Sequence, residues 1–321
     1  MIVITGAACF IGSCMVAKLN AEWRTDLILV DDFSKVEKKQ NWENKLYVDK
    51  IDRKDFFEWA ITNFKQIDFI IHLGARTDTT EFDYSVFEEL NLDYSCRIWS
   101  LATIHGIPMI YASSAATYGN GSLGYCDDHS IIRQLKPLNP YGKSKNEFDK
   151  WVLRQTKTPP FWCGFKFFNV FGPNEYHKKR MASVVFHSFN QIKATGATQL
   201  FRSHRNDYAD GEQIRDFVYV KDVVNTIFYF MNYRPISGIY NLGTGFARSF
   251  NALAMATFQA MNVNPNIIYI DMPEDIRDKY QYYTQADMKK MRQMTNIKTF
   301  RPLETSIKDY VSHYLMKKAT W

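Results

Sequence analysis

Long apolar runs are missing from this chain: none approaches the ~20 residues that a membrane-spanning helix needs, which argues for a soluble protein. Metal-ligand spacing is missing too. The five cysteines, Cys9, Cys14, Cys96, Cys126 and Cys163, are odd in number and contain no Cys-x-x-Cys pair, so they read as free thiols in a reducing compartment. The first residues enter a strand-like run without a basic region, apolar core and cleavage site, so no secretory signal is apparent and a cytoplasmic location is expected. There is no internal repeat and no low-complexity tract. Charge of one sign is not concentrated either. The 40 Lys and Arg exceed the 34 Asp and Glu to give a net +6, but they are spread among the acids, so nucleic acid is not an expected partner and an anionic small substrate accounts for them equally well.

What is present fits an enzyme with a large core. The 321 residues are 46% hydrophobic, enough for one large core or two modest ones, and two lobes are expected. Aromatic content of 16% points to a well-filled core or to subunit contacts.

The chain opens on Met1-Ile-Val-Ile-Thr5, a β-branched run, followed by Gly6-Ala-Ala-Cys-Phe-Ile-Gly12 and a helix-compatible stretch from Ser13 to Ala21. Strand, tight loop and helix in that order aim a helix N-terminus and its free amides at a pyrophosphate. Gly6 permits the turn and Gly12 permits close packing. A second strand over Asp26–Asp32 ends in Asp31 and Asp32, about 20 residues after Gly12, where a ribose-binding acid belongs. Cys9 stands where such a loop would carry its middle glycine. With ordinary dihedrals it is tolerated, and weakened or shifted cofactor binding is then the expectation. At a helix N-terminus the thiol is expected to be acidic, readily alkylated, and protected by cofactor. The cluster Lys35, Lys38 and Lys39 follows the second strand, where a cation could meet an adenosine 2′-phosphate; this favours NADP, while Asp31 and Asp32 favour NAD.

Tyr141 and Lys145 lie four residues apart in Tyr-Gly-Lys-Ser-Lys, one helical turn, with Ser114 upstream in Tyr111-Ala-Ser-Ser114. The set points to redox chemistry on an alcohol. A phenol with an unperturbed pKa of ~10 is a poor base at neutral pH, so the Lys145 ammonium beside it is expected to lower that value, while Ser114 holds the substrate oxygen.

Strands at Leu46–Val48, Phe69–Leu73 and 107–112 alternate with helical stretches near 53–64, 84–105 and 142–156, which predicts a parallel sheet. Phe161–Pro173 reads as a sixth strand entering a loop, residues 207–212 as an exposed excursion, and Arg215–Asp222 as strand-like. The fold class is therefore α/β: a Rossmann-type doubly wound parallel sheet with a smaller, mixed α/β substrate lobe. Residues 1–168 with 214–240 are assigned to the NAD(P)-binding domain, and 169–213 with 241–321 to the lobe.

Thr5-Gly6, Phe10-Ile-Gly12, Tyr111-Ala-Ser-Ser114, Tyr118-Gly119, Tyr141, Lys145, Phe168-Asn-Val170 and Asn241-Leu-Gly-Thr-Gly245 resemble the extended short-chain dehydrogenase/reductase superfamily over essentially the full length. Lys136-Pro-Leu-Asn139, His177-Lys178, Met181-Ala-Ser-Val184, Leu200-Phe201, Arg215-Asp-Phe-Val-Tyr219 and Tyr280-Gln281 are similar in order and wording to its ADP-L-glycero-D-manno-heptose 6-epimerases, which act in lipopolysaccharide inner-core precursor synthesis.

The resemblance implies epimerisation of an ADP-heptose at C6 through a transient ketone. Tyr141 would be the base, and Lys178 the second acid/base group or a diphosphate ligand, with Lys179 and Arg180 supplying a cation that lowers its pKa. It also implies a tightly bound NADP or NAD, one per subunit. That cofactor would be held by Phe10, Ile11, Asp31, Asp32, Lys38, Arg53, Leu73, Gly74, Ala75, Asn91, Lys145, Val170 and Lys178, besides Gly6, Cys9 and Gly12. Substrate contacts would come from Ser114, Asn169, Arg180, His187, Phe201, Arg215 and Tyr280, and the assembly would be a homo-oligomer, by resemblance a pentamer. His187 reads equally as a histidine satisfied on a helix, and Tyr280 as a packing residue between lobes. A UDP-hexose 4-epimerase, or a nucleotide-binding protein disabled by Cys9, are the alternative readings. Ala115 and Ala116, where a 4,6-dehydratase carries an Asp-Glu pair, argue against elimination.

Overall fold

Strands covered by helices on both faces need no polar side, so they appear in sequence as unbroken apolar runs. The computed structural model describes residues 1–78, 81–277 and 280–321. In it, β1 (Ile2–Thr5), β2 (Leu27–Asp31), β3 (Asp49–Asp52), β4 (Phe69–His72), β5 (Met109–Ser114) and β6 (Trp162–Phe167) join a returning strand, Gly238–Leu242. All except β3 are buried along their whole length. They form one seven-stranded sheet in the order Gly238–Leu242, β6, β5, β4, β1, β2, β3, with every pairing parallel. The expected doubly wound α/β architecture is present.

This order places the functional crevice. From β1 the chain steps outward through β2 and β3, then returns to pair β4 on the other side of β1. The loops leaving β1 and β4 diverge there, and a crevice opens beyond their carboxyl ends. Thr5 pairs with both Val30 and His72 at that edge.

The helix Phe10–Ala21 starts directly after the first loop and packs on Val220–Tyr233. The helix Pro140–Val152 has a well-defined start: Asn139 accepts a hydrogen bond from the Gly142 amide at 2.8 Å, and Pro140 occupies the first turn, where no donor is needed. The aromatic residues serve mainly as core. Trp99 packs edge-on to Tyr111, Trp151 and Trp162, with ring centroids 6.5, 6.2 and 5.2 Å apart. Beyond β6 the chain makes three short two-stranded pairings: Asn169–Phe171 with Phe217–Tyr219, Ile214–Arg215 with Arg248–Ser249, and Thr198–Phe201 with Ile267–Ile270. No helix among the described residues is long and apolar enough to cross a membrane.

Two sequence expectations are displaced. Leu46–Val48 is not the third strand, which begins at Asp49: the Asn20 side chain takes both the amide and the carbonyl of Leu46 at 2.8 Å, in place of a sheet neighbour. The strand-like stretch Arg215–Asp222 is strand only to Tyr219, and Val220 already opens a helix.

The first loop depends on two backbone approaches. Gly6 sits at φ +71°, and a Cβ there would lie 2.6 Å from the Gly74 nitrogen; a Cβ on Gly12 would lie 2.0 Å from the Gly6 carbonyl oxygen. Gly12→Ala is therefore expected to cost about 1–3 kcal/mol, read from the urea midpoint, because backbone and not a flexible side chain must move.

Candidate active site

The crevice measures about 490 Å³ and is lined by Cys9, Phe10, Ile11, Gly12, Asp32, Lys35, Lys38, Arg53, Leu73, Ala75, Arg76, His177 and Lys178. An inner recess adds Thr5, Gly6, Asp31 and Gly74. Residues read separately from the sequence, across more than 170 positions, thus share one wall. The first turn of the helix Phe10–Ala21 faces this space, so its amides are available to an anion. With the glycine approach behind it, the crevice fits an extended dinucleotide diphosphate.

Cys9 adopts φ −82° and ψ 176°, extended backbone that any residue accepts, so the missing glycine is tolerated as expected. Its expected acidity is not found. Burial, then the neighbouring Asp31 carboxylate, push the thiol up to about 12, outweighing Lys38.

Asp31 is committed to the protein itself. Its oxygens accept hydrogen bonds from the amides of Ala8 and Asp32, at 2.9 and 2.8 Å, and from Lys38 Nζ at 2.9 Å. Asp32 faces the crevice, its carboxyl held below the usual range by hydrogen bonds from Ser34. Lys39 pairs with Glu43 at 3.6 Å, whereas Lys35 and Arg53 line the crevice.

Asn91 is buried behind the wall. Its amide oxygen accepts from Arg76 N at 2.7 Å, and its nitrogen donates to Arg76 O and to Ser144 Oγ, each at 3.0 Å. Ser144 donates to the Tyr141 carbonyl at 2.8 Å. Asn91 in turn is reached from β1: Gly74 N donates to Thr5 Oγ1, Thr5 Oγ1 and His72 Nδ1 are 2.6 Å apart, His72 Nε2 and Ser95 Oγ 2.9 Å, and Ser95 donates to the Asn91 carbonyl. This chain ties the cofactor wall to the helix that carries Tyr141.

Ser114 closes β5, accepts from the Ala116 amide at 3.1 Å, and is hydrogen-bonded to Tyr141. Lys145 Nζ donates to the Ala112 carbonyl at 2.9 Å. Burial lowers Lys145 to about 8 against the pull of Asp149. The expectation that Lys145 depresses Tyr141 is not met: burial raises the phenol's pKa, and the opposing influence is the Ser114 hydrogen bond.

Lys178 is half-buried, 5.3 Å from the Phe10 ring centroid. Its pKa is lowered, by burial and not by Lys179 or Arg180 as expected; those two side chains are exposed. Lys179 sits at φ +50° and ψ −127°, a left-handed conformation costing a non-glycine residue roughly 1–3 kcal/mol, directly beside Lys178. Arg180 lies 3.7 Å from Asp78, across the crevice mouth.

Three of the predicted substrate residues cluster. The buried Arg215 guanidinium is 5.0 Å from the Tyr280 ring, and Tyr280 meets Phe201 edge-on at 6.4 Å. Burial lowers the Arg215 pKa. Asn169 and Val170 lie on the short strand Asn169–Phe171. His187 Nε2 is 3.3 Å from the Arg180 carbonyl, so it braces that loop. His177, which burial and then Lys38 and Lys178 push down to about 4, and Arg76 were missed as wall residues; the only signal was adjacency to Lys178 and to Ala75. Among the described residues there is no group of three or more His, Cys, Asp or Glu that could hold a metal ion.

Iodoacetamide at pH 8 is expected to label Cys9 at least ~100-fold more slowly in the native protein than after unfolding, by peptide mass spectrometry, because so little of it is thiolate.

The sequence profile of the NAD dependent epimerase/dehydratase family matches residues 2–243. A curated ADP-L-glycero-D-manno-heptose-6-epimerase of Fusobacterium nucleatum is 46% identical, with 100% of both chains covered. One of Nitratidesulfovibrio vulgaris is 45% identical, with 98% of each covered. The crystal structure of Helicobacter pylori ADP-L-glycero-D-manno-heptose-6-epimerase superposes with a TM-score of 0.79 at 26% identity, covering 97% of this chain and 95% of that one. A UDP-glucose 4-epimerase of Thermotoga maritima, at 22% identity, shares the fold with a TM-score of 0.80 and 99% of each chain covered. A nicotinamide-cofactor crevice, a Ser-Tyr-Lys set beside it and end-to-end likeness to these enzymes lead to one conclusion: the chain belongs to the NAD dependent epimerase/dehydratase family.

Proposed function

We propose that the protein interconverts ADP-D-glycero-D-manno-heptose and ADP-L-glycero-D-manno-heptose at C6, with NADP preferred over NAD. The end-to-end likeness to curated heptose epimerases carries the reading, since the structural relatives that act on UDP sugars share little sequence. On this reading the protein is a cytoplasmic homo-oligomer, and residues 169–213 with 241–321 hold the sugar nucleotide.

Tyr141 accepts the proton of the C6 hydroxyl while Ser114 holds that oxygen. The bound dinucleotide supplies a reversible hydride acceptor, so that C6 passes through a ketone. After the ketone turns its other face, Lys178 protonates the oxygen there. Burial suits Lys178 to the role, because a lysine with an ordinary pKa of ~10.4 gives up its proton too rarely near neutrality. Arg215, between Tyr280 and Phe250, offers a planar fork to the diphosphate, and its buried cost is recovered when an anion arrives.

What Asp31 already binds supports the NADP reading. Paired with Lys38 and two amides, it repels a 2′-phosphate less, and Lys35 and Arg53 on the crevice wall are set against Asp32, whose carboxyl stays ionised there.

Two experiments test these points. Incubation with ADP-D-glycero-D-manno-heptose, followed by proton NMR, is expected to yield the L-glycero epimer, with Tyr141→Phe slower by at least ~100-fold. No conversion with either dinucleotide, or conversion of UDP-glucose instead, overturns the reading. In fluorescence titrations Arg53→Ala should weaken NADP by about tenfold and NAD by much less, the loss of one charged contact.

A further inference from the structure

Asp149 and Lys166 form an ion pair at 2.6 Å with both side chains fully shielded from solvent. Such a pair is weak evidence of stabilisation, because desolvating two charges offsets much of their attraction. Its remaining partners point elsewhere. Asp149 Oδ2 also accepts from Ser113 Oγ at 2.7 Å, and Oδ1 accepts from Tyr111 OH at 3.1 Å, so the carboxylate clamps the end of β5. Lys166 Nζ donates to Thr117 Oγ1 at 2.7 Å, and Thr117 donates to the Ser114 carbonyl at 2.7 Å.

The pair therefore lies beneath the Ser114–Tyr141–Lys145 set without belonging to it. Asp149 follows Lys145 by one turn on the helix Pro140–Val152. The titratable groups that face Lys145 are Asp149 on its own helix and, from β4, His72, which burial and Lys145 keep neutral. The Lys145 ammonium otherwise meets the Ala112 carbonyl.

We propose that Asp149 and Lys166 are positioning residues of the proton-transfer centre: the carboxylate, one turn beyond Lys145 on the same helix, holds the end of β5 through Ser113 and Tyr111, and the ammonium, through Thr117, fixes the turn that presents Ser114. This rests on the roles given above to Ser114, Tyr141 and Lys145. Burial pushes Lys145 to about 8 and Asp149 opposes that, so loss of the carboxylate lets Lys145 discharge at lower pH. Without the Lys166–Thr117 link, Ser114 is held less firmly and turnover falls.

The test follows Lys145 directly by ¹³Cε-lysine NMR, its resonance identified by loss in Lys145→Arg, together with the pH profile of kcat. Asp149→Asn alone leaves a buried cation unpaired and is prone to misfold, so the double variant D149N/K166M is the main arm. Its Lys145 midpoint is expected to fall by about one unit, and the alkaline limb of kcat with it, while Lys166→Arg keeps both near wild type. Thr117→Val should lower kcat about tenfold and leave the Lys145 midpoint in place. An unmoved midpoint in the folded double variant overturns the role of Asp149, whatever its thermal stability; unchanged kcat in Thr117→Val overturns that of Lys166. Should the wild-type protein not convert the heptose, the NMR titration still decides the Asp149 role, and only the reaction assignment falls.

Discussion

The whole site depends on how closely two pieces of backbone come together. No side chain fits where the Gly6 carbonyl meets Gly12, nor where Gly6 meets Gly74, so the β1 loop, the first helix and the β4 loop close on one another without spacers. That contact sets the floor of the crevice and aims the helix terminus into it. Cys9 could replace a glycine in the same loop because its backbone is extended.

Burial, more than pairwise charge, governs the titrating groups. Lys145 and Lys178 are pushed down, and Tyr141 and Cys9 up, all toward their neutral forms. A low-dielectric site disfavours every unpaired charge, and charges that do persist there, such as Asp31 with Lys38 or Asp149 with Lys166, are closely paired. Dryness thus brings Lys145 and Lys178 toward neutrality and takes Tyr141 away from it, with the Ser114 hydrogen bond as the opposing influence on the phenol.

Local signals in the sequence were sufficient for the fold. Most apolar runs of strand length, and Gly6 and Gly12 at fixed spacing, are consequences of short-range chemistry and appear where they were expected; the Asn139-Pro140 helix start is a signal of the same kind that was not read. Many of the expected cofactor residues line one crevice for the same reason, whereas Arg215, Tyr280 and Phe201 form a cluster of their own. Electrostatic roles were less legible: the acidity expected of Cys9, the Lys145 effect on Tyr141 and the Lys179–Arg180 effect on Lys178 all assumed that sequence neighbours dominate. Depth of burial, and the fact that Lys145 points to Ala112, are set by tertiary packing that spacing does not encode. Leu46–Val48 was misread for a similar reason, since at Leu46 a single distant amide, Asn20, took the place of a strand partner, and only Val48 reaches the β2 backbone, at Leu27.

The hydrogen-bond chain behind the cofactor wall has a direction. Ser95 gives its proton to the Asn91 carbonyl, so it must accept from His72 Nε2–H; that leaves Nδ1 of the neutral ring as an acceptor, and Thr5 Oγ1, which also accepts from Gly74, donates to it. Only one imidazole tautomer satisfies both neighbours, and with His72 held down at about 3 no second protonation state competes with it. The proton order from the Gly74 amide to the Asn91 carbonyl is therefore single-valued, and the loop at Gly74 and the residue that anchors the Tyr141 helix keep the same dipolar frame for as long as His72 stays neutral.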